Sequence, residues 1–364
     1  RAMKIRSVLS AAVLAVATTF ASSQALAQDT FTLRLAETWG PNFPIFGDTT
    51  KRFAETVEKM SDGRLKVRID SANKHKAPLG VFDMVKAGQY DMGHSASYYW
   101  KGKVPETLFF TSMPFGMNAM EQYAWFYHGG GMELMQEVYE PHNMLSFPGG
   151  NTGVQMGGWF RKEINSLEDL QGLKMRIPGF AGEVFAEVGV NPTNIAPGEL
   201  YTALERNTID AVEWVGPALD LRLGFQQIAD YYYTGWHEPA TTLENFINLD
   251  AWNSLDDELK TIVQAANTVA NQLVLSEFMA RNNDSLQKLV NEHNVDVRPY
   301  PDDLLQELGR ISGELMTEFM SQDPLSKKVG TSIVNFRKGA LEWTKLSEQT
   351  FTAARSLPFK YVQL

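Results

Sequence analysis

Phe31-Thr-Leu-Arg-Leu-Ala36 alternates apolar and polar side chains, the two-residue period of a half-buried strand. Phe46 to Met60 changes to helical spacing and ends before Ser61-Asp62-Gly63, so a helix is expected there. Leu173 to Ile177 reads as a short strand closed by Pro178-Gly179, and Ser166 with Asp169 just before it forms a capping-box pattern. Glu199 to Arg206 predicts a short helix, and Thr241 to Leu249 a strand that returns to the first half of the chain. From Ser254 onward the pattern turns helical. Asp256 to Glu292 is nearly free of Gly and Pro, and Asp302 to Met320 follows as another helix. Leu325 to Arg355 carries Leu325, Val329, Ile333, Phe336, Leu341 and Leu346 on one stripe, suited to packing on its own lobe or on a second chain.

A repeat runs through the first two thirds. Gly63-Arg-Leu-Lys-Val-Arg-Ile69 resembles Gly172-Leu-Lys-Met-Arg-Ile177, and the segment ending Asp91-Met92 lines up with the one ending Asp210-Ala211. Strand, helix, strand in each half is the pattern of a parallel α/β unit. The expected fold is therefore α/β with two lobes and a cleft between them. The first lobe is placed at residues 28–151, with a return segment at about 237–270. The second is placed at 152–236, with helices at about 271–324, and the C-terminal helix at 325–364.

Residues 1–27 read as a secretory signal peptide, which implies export to the periplasm. Arg1, Lys4 and Arg6 precede an apolar run from Val8 to Phe20, and Ala25-Leu26-Ala27 is a cleavage signal. The chain has no cysteine, which excludes thiol catalysis and cysteine-ligated metals. Its net charge is −10, and more negative once the basic leader is set aside. No nucleic-acid partner is expected, and any affinity for an anion has to come from a local site.

Enzyme signatures are thin. His128-Gly-Gly-Gly131 is similar to the oxyanion loop of an esterase, but Gly93-His-Ser-Ala-Ser97 lacks the last glycine of a nucleophile elbow. There is no phosphate loop, H-E-x-x-H or dinucleotide fingerprint, and the six histidines are scattered. What remains is polar side chains on segments between the lobes. Gln155 lies in a glycine-flanked stretch read as a strand start. Arg176 closes its strand, and Glu213 and Trp214 close another. Ligands of open parallel sheets gather at such carboxyl ends. Aromatic clusters at Tyr98-Tyr99-Trp100 and at Tyr231 to Trp236 are candidate cleft walls.

"GRLKVRI", "VKAGQYDMG", "LKMRIPG" and "RNTIDAVEW" together resemble the solute-binding proteins of TRAP (tripartite ATP-independent periplasmic) transporters, over essentially the whole chain beyond residue 27. "WHEPA" and the extra C-terminal helix are similar to the branch that binds 2-oxo acids such as pyruvate, or lactate, with a metal ion. The resemblance implies two lobes, a long connecting helix, closure on a carboxylate-bearing solute, and delivery to a membrane permease driven by an ion gradient; the stripe on the C-terminal helix is read as a homodimerisation element. It implies that Arg176 holds the solute carboxylate, since the planar guanidinium fork matches it. Glu213 beside a bound anion then calls for a cation, with Gln155, Glu213 and the Trp214 carbonyl as oxygen ligands suited to Na⁺ or Ca²⁺. Tyr98 and Tyr99 would wall the solute, with Glu238 and Asn245 around it. The expectation is a binding protein rather than an enzyme. A secreted esterase using the His128 loop, or a receptor of an ATP-driven transporter, is the alternative.

Overall fold

The structure is a computed structural model that describes residues 28–362; the signal-peptide reading lies outside the described residues. Strands β1 (Phe31–Glu37), β2 (Leu65–Asp70), β3 (Met92–Ser95) and β4 (Met144–Asn151) belong to the first of two sheets. The second sheet contains β5 (Gly158–Phe160), β6 (Lys174–Arg176), β7 (Asn191–Thr193), β8 (Ala211–Val212) and β9 (Tyr231–Tyr233). Then β10 (Thr242–Asn248) goes back to the first sheet, between β3 and β4 and antiparallel to both, and β11 (Asp296–Arg298) joins the second beside β9. The chain thus crosses between the sheets at residues 152–157 and 234–241, and these crossings flank the site.

Each sheet contains the same parallel unit. In the first, β1 lies between β2 and β3; in the second, β6 lies between β7 and β8. The correspondence reaches single hydrogen bonds. Asp91 donates its N–H to the Arg34 carbonyl and accepts the Arg34 N–H on Oδ2 at 2.8 Å. Asp210 does the same with Lys174, accepting at 2.9 Å. Register therefore makes β6 the counterpart of β1, not of β2. This corrects the alignment read from the sequence: Leu35 pairs Met92 as Met175 pairs Ala211, so Ala36 occupies the place of Arg176. Arg68 lies on β2, exposed, one strand away. The strings are similar although the settings differ: Lys66 and Arg68 of β2 point to solvent, whereas on β6 Lys174 is exposed and Arg176 is buried.

The helix Asp257–His293 joins the two halves. It packs on β4 and the helix Phe46–Met60 on one side and on the helix Pro217–Leu223 on the other. Asp256 caps its start through the Leu259 N–H, and Asn294, with φ of 53°, ends it in the left-handed region that Asn tolerates. The capping box anticipated at Ser166 is absent: Asp169 instead accepts the Asn165 N–H at 2.8 Å, and the segment is one 3₁₀ turn, Leu167–Leu170. The C-terminal helix Pro324–Thr344 buries Val329 and Ile333 on its own chain, then continues through Thr350–Arg355 with Trp343, Leu346 and Phe351 exposed. No helix among the described residues is long and apolar enough to cross a membrane.

Candidate functional site

Arg176 leaves the carboxyl end of β6 and Glu213 that of the adjacent β8, so the sheet delivers both to one edge. Both are fully buried. Arg176 Nη1 donates to the Glu213 carbonyl at 2.5 Å and to Glu213 Oε2 at 3.3 Å. Nη2 donates to the Tyr99 hydroxyl at 3.2 Å, and Nε has no partner. Nε and Nη2 form one edge of the guanidinium. That edge retains an N–H on each nitrogen, the geometry a carboxylate accepts bidentately. The Trp214 ring lies 5.0 Å from the Arg176 Cζ and packs edge-on to Trp39, Phe43 and Phe46 of the other lobe.

The crossing segment residues 152–157 brings Gln155 to the same place. It is a loop, not the start of a strand as read from the sequence, because its backbone N–H groups go to three different segments: Gln155 to the Glu238 carbonyl, Met156 to that of Val215 and Gly157 to that of Tyr233. Gly235 makes this approach possible; a Cβ there would lie 1.9 Å from the Gln155 carbonyl oxygen. The Gln155 Nε2 donates to the hydroxyls of Thr152 and Thr241, at 3.2 and 3.0 Å. Its oxygen then faces Glu213 Oε1 at 2.6 Å, Glu238 Oε2 at 3.1 Å and the Trp214 carbonyl at 3.0 Å. Turned over, the amide would donate to these three oxygens instead. That orientation requires Thr152 and Thr241 to donate to it, yet Thr152 donates to the Gly153 carbonyl and Thr241 to Glu238 Oε1. With its oxygen turned inward the amide completes a set of four converging oxygens, which fits a hard cation and suits Na⁺ or Ca²⁺.

Electrostatics point the same way. Burial pushes the Glu213 carboxyl well above the usual carboxylate range, against the opposing pull of Arg176. Glu238 is pushed up to about 8 by burial and by Glu213. Two clustered carboxyls that resist ionisation are relieved by a bound cation. His237 stands beside them, fully buried and pushed down to about 4 by burial, so its imidazole is neutral. The first lobe closes over this floor. Tyr98 sits on Gly179, whose φ of 69° and a hypothetical Cβ 2.1 Å from the Tyr98 ring leave room for glycine alone. A further cavity of about 320 Å³ lies beside Tyr99, lined by Lys101, Gly179, Glu183 and Asn194.

Comparison with known proteins identifies the family. The family described as "Bacterial extracellular solute-binding protein, family 7" (DctP) matches residues 35–323. The chain belongs to that family. A "Monocarboxylate 2-oxoacid-binding periplasmic protein" from Nostoc is 40% identical over 359 residues, 96% of this chain and 98% of the relative. A crystal structure of a TRAP periplasmic solute-binding protein from Pseudoalteromonas atlantica, with bound sodium and pyruvate, is 57% identical with a TM-score of 0.88, covering 91% of this chain and all of the other. A third similar protein, a TRAP transporter solute-binding protein from Bordetella bronchiseptica, is 32% identical, also at a TM-score of 0.88, over 90% of this chain and 98% of that one. It was crystallised as a mixed-occupancy dimer with calcium and picolinate in one active site.

Of the residues singled out in sequence, this DctP-family chain brings together Gln155, Arg176, Glu213, Trp214, Tyr99 and Glu238. Tyr98 lies one residue from the contact, against Gly179. Asn245 is elsewhere: on β10, it donates to Asn267 of the long helix at 2.6 Å. Trp100 packs on Phe82 and Phe246 inside the first lobe, and Tyr232 stacks on Trp159 inside the second, so neither is a cleft wall. The His128 loop is a corner between two helices. A Cβ at Gly129 or Gly131 would strike Phe336 or Trp125, and the hydroxyls of Ser95 and Ser97 bond Thr38 and Thr111, which gives no support to an esterase. Sequence reading missed His237 and the Trp39–Phe43–Phe46 wall; the signal for His237 was its place next to Glu238 in "WHEPA".

Proposed function

We propose that the chain captures a small monocarboxylate with a second donor atom next to the carboxyl group, a 2-oxo or 2-hydroxy acid such as pyruvate, together with Na⁺ or Ca²⁺. The observation that carries this reading is the unpartnered Nε of Arg176, next to an Nη2 held only by Tyr99, beside the oxygens of Gln155, Glu213, Glu238 and Trp214. Arg176 takes the carboxylate. Gln155, Glu213 and the Trp214 carbonyl would hold the ion, which would offset the negative charge of Glu213 and favour a solute that chelates. Pyruvate and picolinate, bound in the two similar structures, share this chelating arrangement. The residues supply binding, orientation and exclusion of water.

Membership of the family supports a receptor that works in the periplasm and feeds the permease of a TRAP transporter. The lobes are read as residues 28–151 with a return at about 237–270, and 152–236 with the helices that follow. Pairing of two copies through the C-terminal helix is supported by the exposed Trp343, Leu346, Phe351 and Phe359, which lead away from the body. An apolar groove of about 650 Å³ beside them, lined by Met120, Val154, Leu275 and Met279, offers a seat for the second copy. Calorimetric titration of pyruvate into metal-stripped protein tests the ligand reading. Binding is expected to be strong with added Na⁺ or Ca²⁺ and weak without; equal binding in both would overturn it. Sedimentation of the full chain tests the dimer, and a monomer would refute it.

A further inference from the structure

His237 has no role in the reading above, yet its environment calls for one. The imidazole is fully buried and neither ring nitrogen makes a hydrogen bond. A buried polar group without a partner is costly, and native structures rarely keep one without a reason. Nε2 lies 3.4 Å from Glu213 Oε1 and 3.5 Å from Glu238 Oε2. These are the same two oxygens that the Gln155 oxygen faces from its own side. The ligand atoms of Glu213, His237 and Glu238 all lie within 4.8 Å of one another. An ion seated on the two carboxylate oxygens is therefore within reach of the imidazole as well.

The donor chemistry narrows the class of ion. Na⁺ and Ca²⁺ take oxygen ligands and gain little from an imidazole. Divalent first-row ions such as Mn²⁺, Co²⁺ and Zn²⁺ bind imidazole well and accept carboxylate alongside it. Charge agrees. With the solute bound, the cleft holds the carboxylates of Glu213, Glu238 and the ligand, and Arg176 neutralises one of them. A divalent ion balances the other two; a monovalent ion balances one.

We propose that this site also takes a divalent first-row transition ion, with Glu213, His237 and Glu238 as its protein ligands and a chelating 2-oxo acid completing the shell. The proposal rests on the cation-assisted reading above and adds to it a ligand and a class of metal. The unpartnered Nδ1 gives the imidazole no outer support, which keeps the affinity below that of sites where a carboxylate backs the histidine.

The test uses the full chain stripped of metal, with Mn²⁺ or Co²⁺ added in the presence of pyruvate. Pulsed electron paramagnetic resonance of the Mn²⁺ complex is expected to carry the coupling of an imidazole nitrogen. His237→Gln is expected to lose that coupling and to weaken Co²⁺ binding at least tenfold by calorimetry, with an unchanged circular dichroism spectrum. The wild-type signal stands without the variant, so a misfolded substitution leaves the test intact. Bound Mn²⁺ without nitrogen coupling overturns the proposal. So does failure of Mn²⁺ and Co²⁺ to bind while Na⁺ or Ca²⁺ supports pyruvate binding, which leaves the oxygen-ligand reading standing. If no cation of either class alters pyruvate binding, the cation-assisted reading itself fails, and this proposal with it.

Discussion

The unit β1–β2–β3 and the unit β6–β7–β8 share topology, register and an aspartate that clasps the backbone of the neighbouring strand, yet their strand ends differ in chemistry. Where the second unit places Arg176, the first has Ala36; where the second has Glu213, register gives the first His94. His94 is buried, accepts the Trp39 indole N–H at 2.8 Å, and is pushed down to about 4 by burial, so it is a neutral packing group. Around the cleft the second lobe thus supplies Arg176 and Glu213, while the first supplies the aromatic Trp39, Phe43 and Phe46 and keeps its buried Glu37 on Thr50 and Ser71. A fold repeat conserves what the backbone needs, namely hydrogen-bond pairing and strand order, and leaves the carboxyl ends free to diverge. A cleft closed by a charged floor and an apolar lid excludes water from the ligand, which strengthens each polar contact on the floor.

The largest expected effect comes from making the two units alike in the fork they lack. Arg176→Lys keeps a positive charge but loses the edge formed by Nε and Nη2. Pyruvate affinity is expected to fall at least tenfold, about 1.4 kcal/mol, in calorimetric titration. A variant that binds as the parent does would detach the carboxylate from Arg176 and leave the asymmetry of the lobes unexplained.

Next comes Glu213, whose counterpart is the neutral His94. Glu213→Gln removes one charge while keeping an oxygen toward Gln155. Solute affinity is expected to fall roughly tenfold, as for a weakened metal ligand, and the gain from added Na⁺ or Ca²⁺ to shrink with it. A variant with an undiminished response to the ion would take Glu213 out of the cage.

The pH dependence is expected to be smaller. Glu238, raised to about 8, binds its proton more tightly folded than unfolded. Its contribution to the stability of the metal-free protein is present below the unfolded value near 4.5 and is lost as pH rises through about 8. An ion has to displace that proton, so the increase in melting temperature caused by Ca²⁺ should widen from about pH 6 to about pH 8 and then level off. Parallel melting curves with and without Ca²⁺ over this range would show that Glu238 gives up no proton to the ion.

How much of this was legible in the sequence follows the same division. The helices Phe46–Met60 and Asp302–Met320 appear with the bounds their periodicity predicts, because capping and breaker residues act locally. The return strand β10 was legible for the same reason. Arg176, Glu213 and Trp214 were legible because strand ends and turn residues mark carboxyl edges. Gln155 was found, but its loop was mistaken for a strand: its backbone partners, Glu238 and Tyr233, lie some eighty residues away and leave no local signal. His237 and the Phe43–Phe46 wall were missed because their neighbours come from the opposite lobe. Asn245 was misplaced because all of β10 is buried, so alternation could not say which face meets the cleft.

The smallest expected effect tests the repeat itself. The string similarity equates Arg68 with Arg176, whereas register equates Ala36 with it, and only one can be right. Arg68 is exposed on β2 and exerts a favourable field on Asp70, two residues further along the strand. Substituting an exposed side chain away from the site changes stability by less than about 0.5 kcal/mol. Arg68→Ala is therefore expected to leave pyruvate affinity within about twofold, and melting nearly unchanged. If Arg68→Ala instead weakened binding as strongly as Arg176→Lys, the two arginines would act as a pair. The first lobe would then contribute charge to the ligand, and the contrast between a charged floor and an apolar lid would fail.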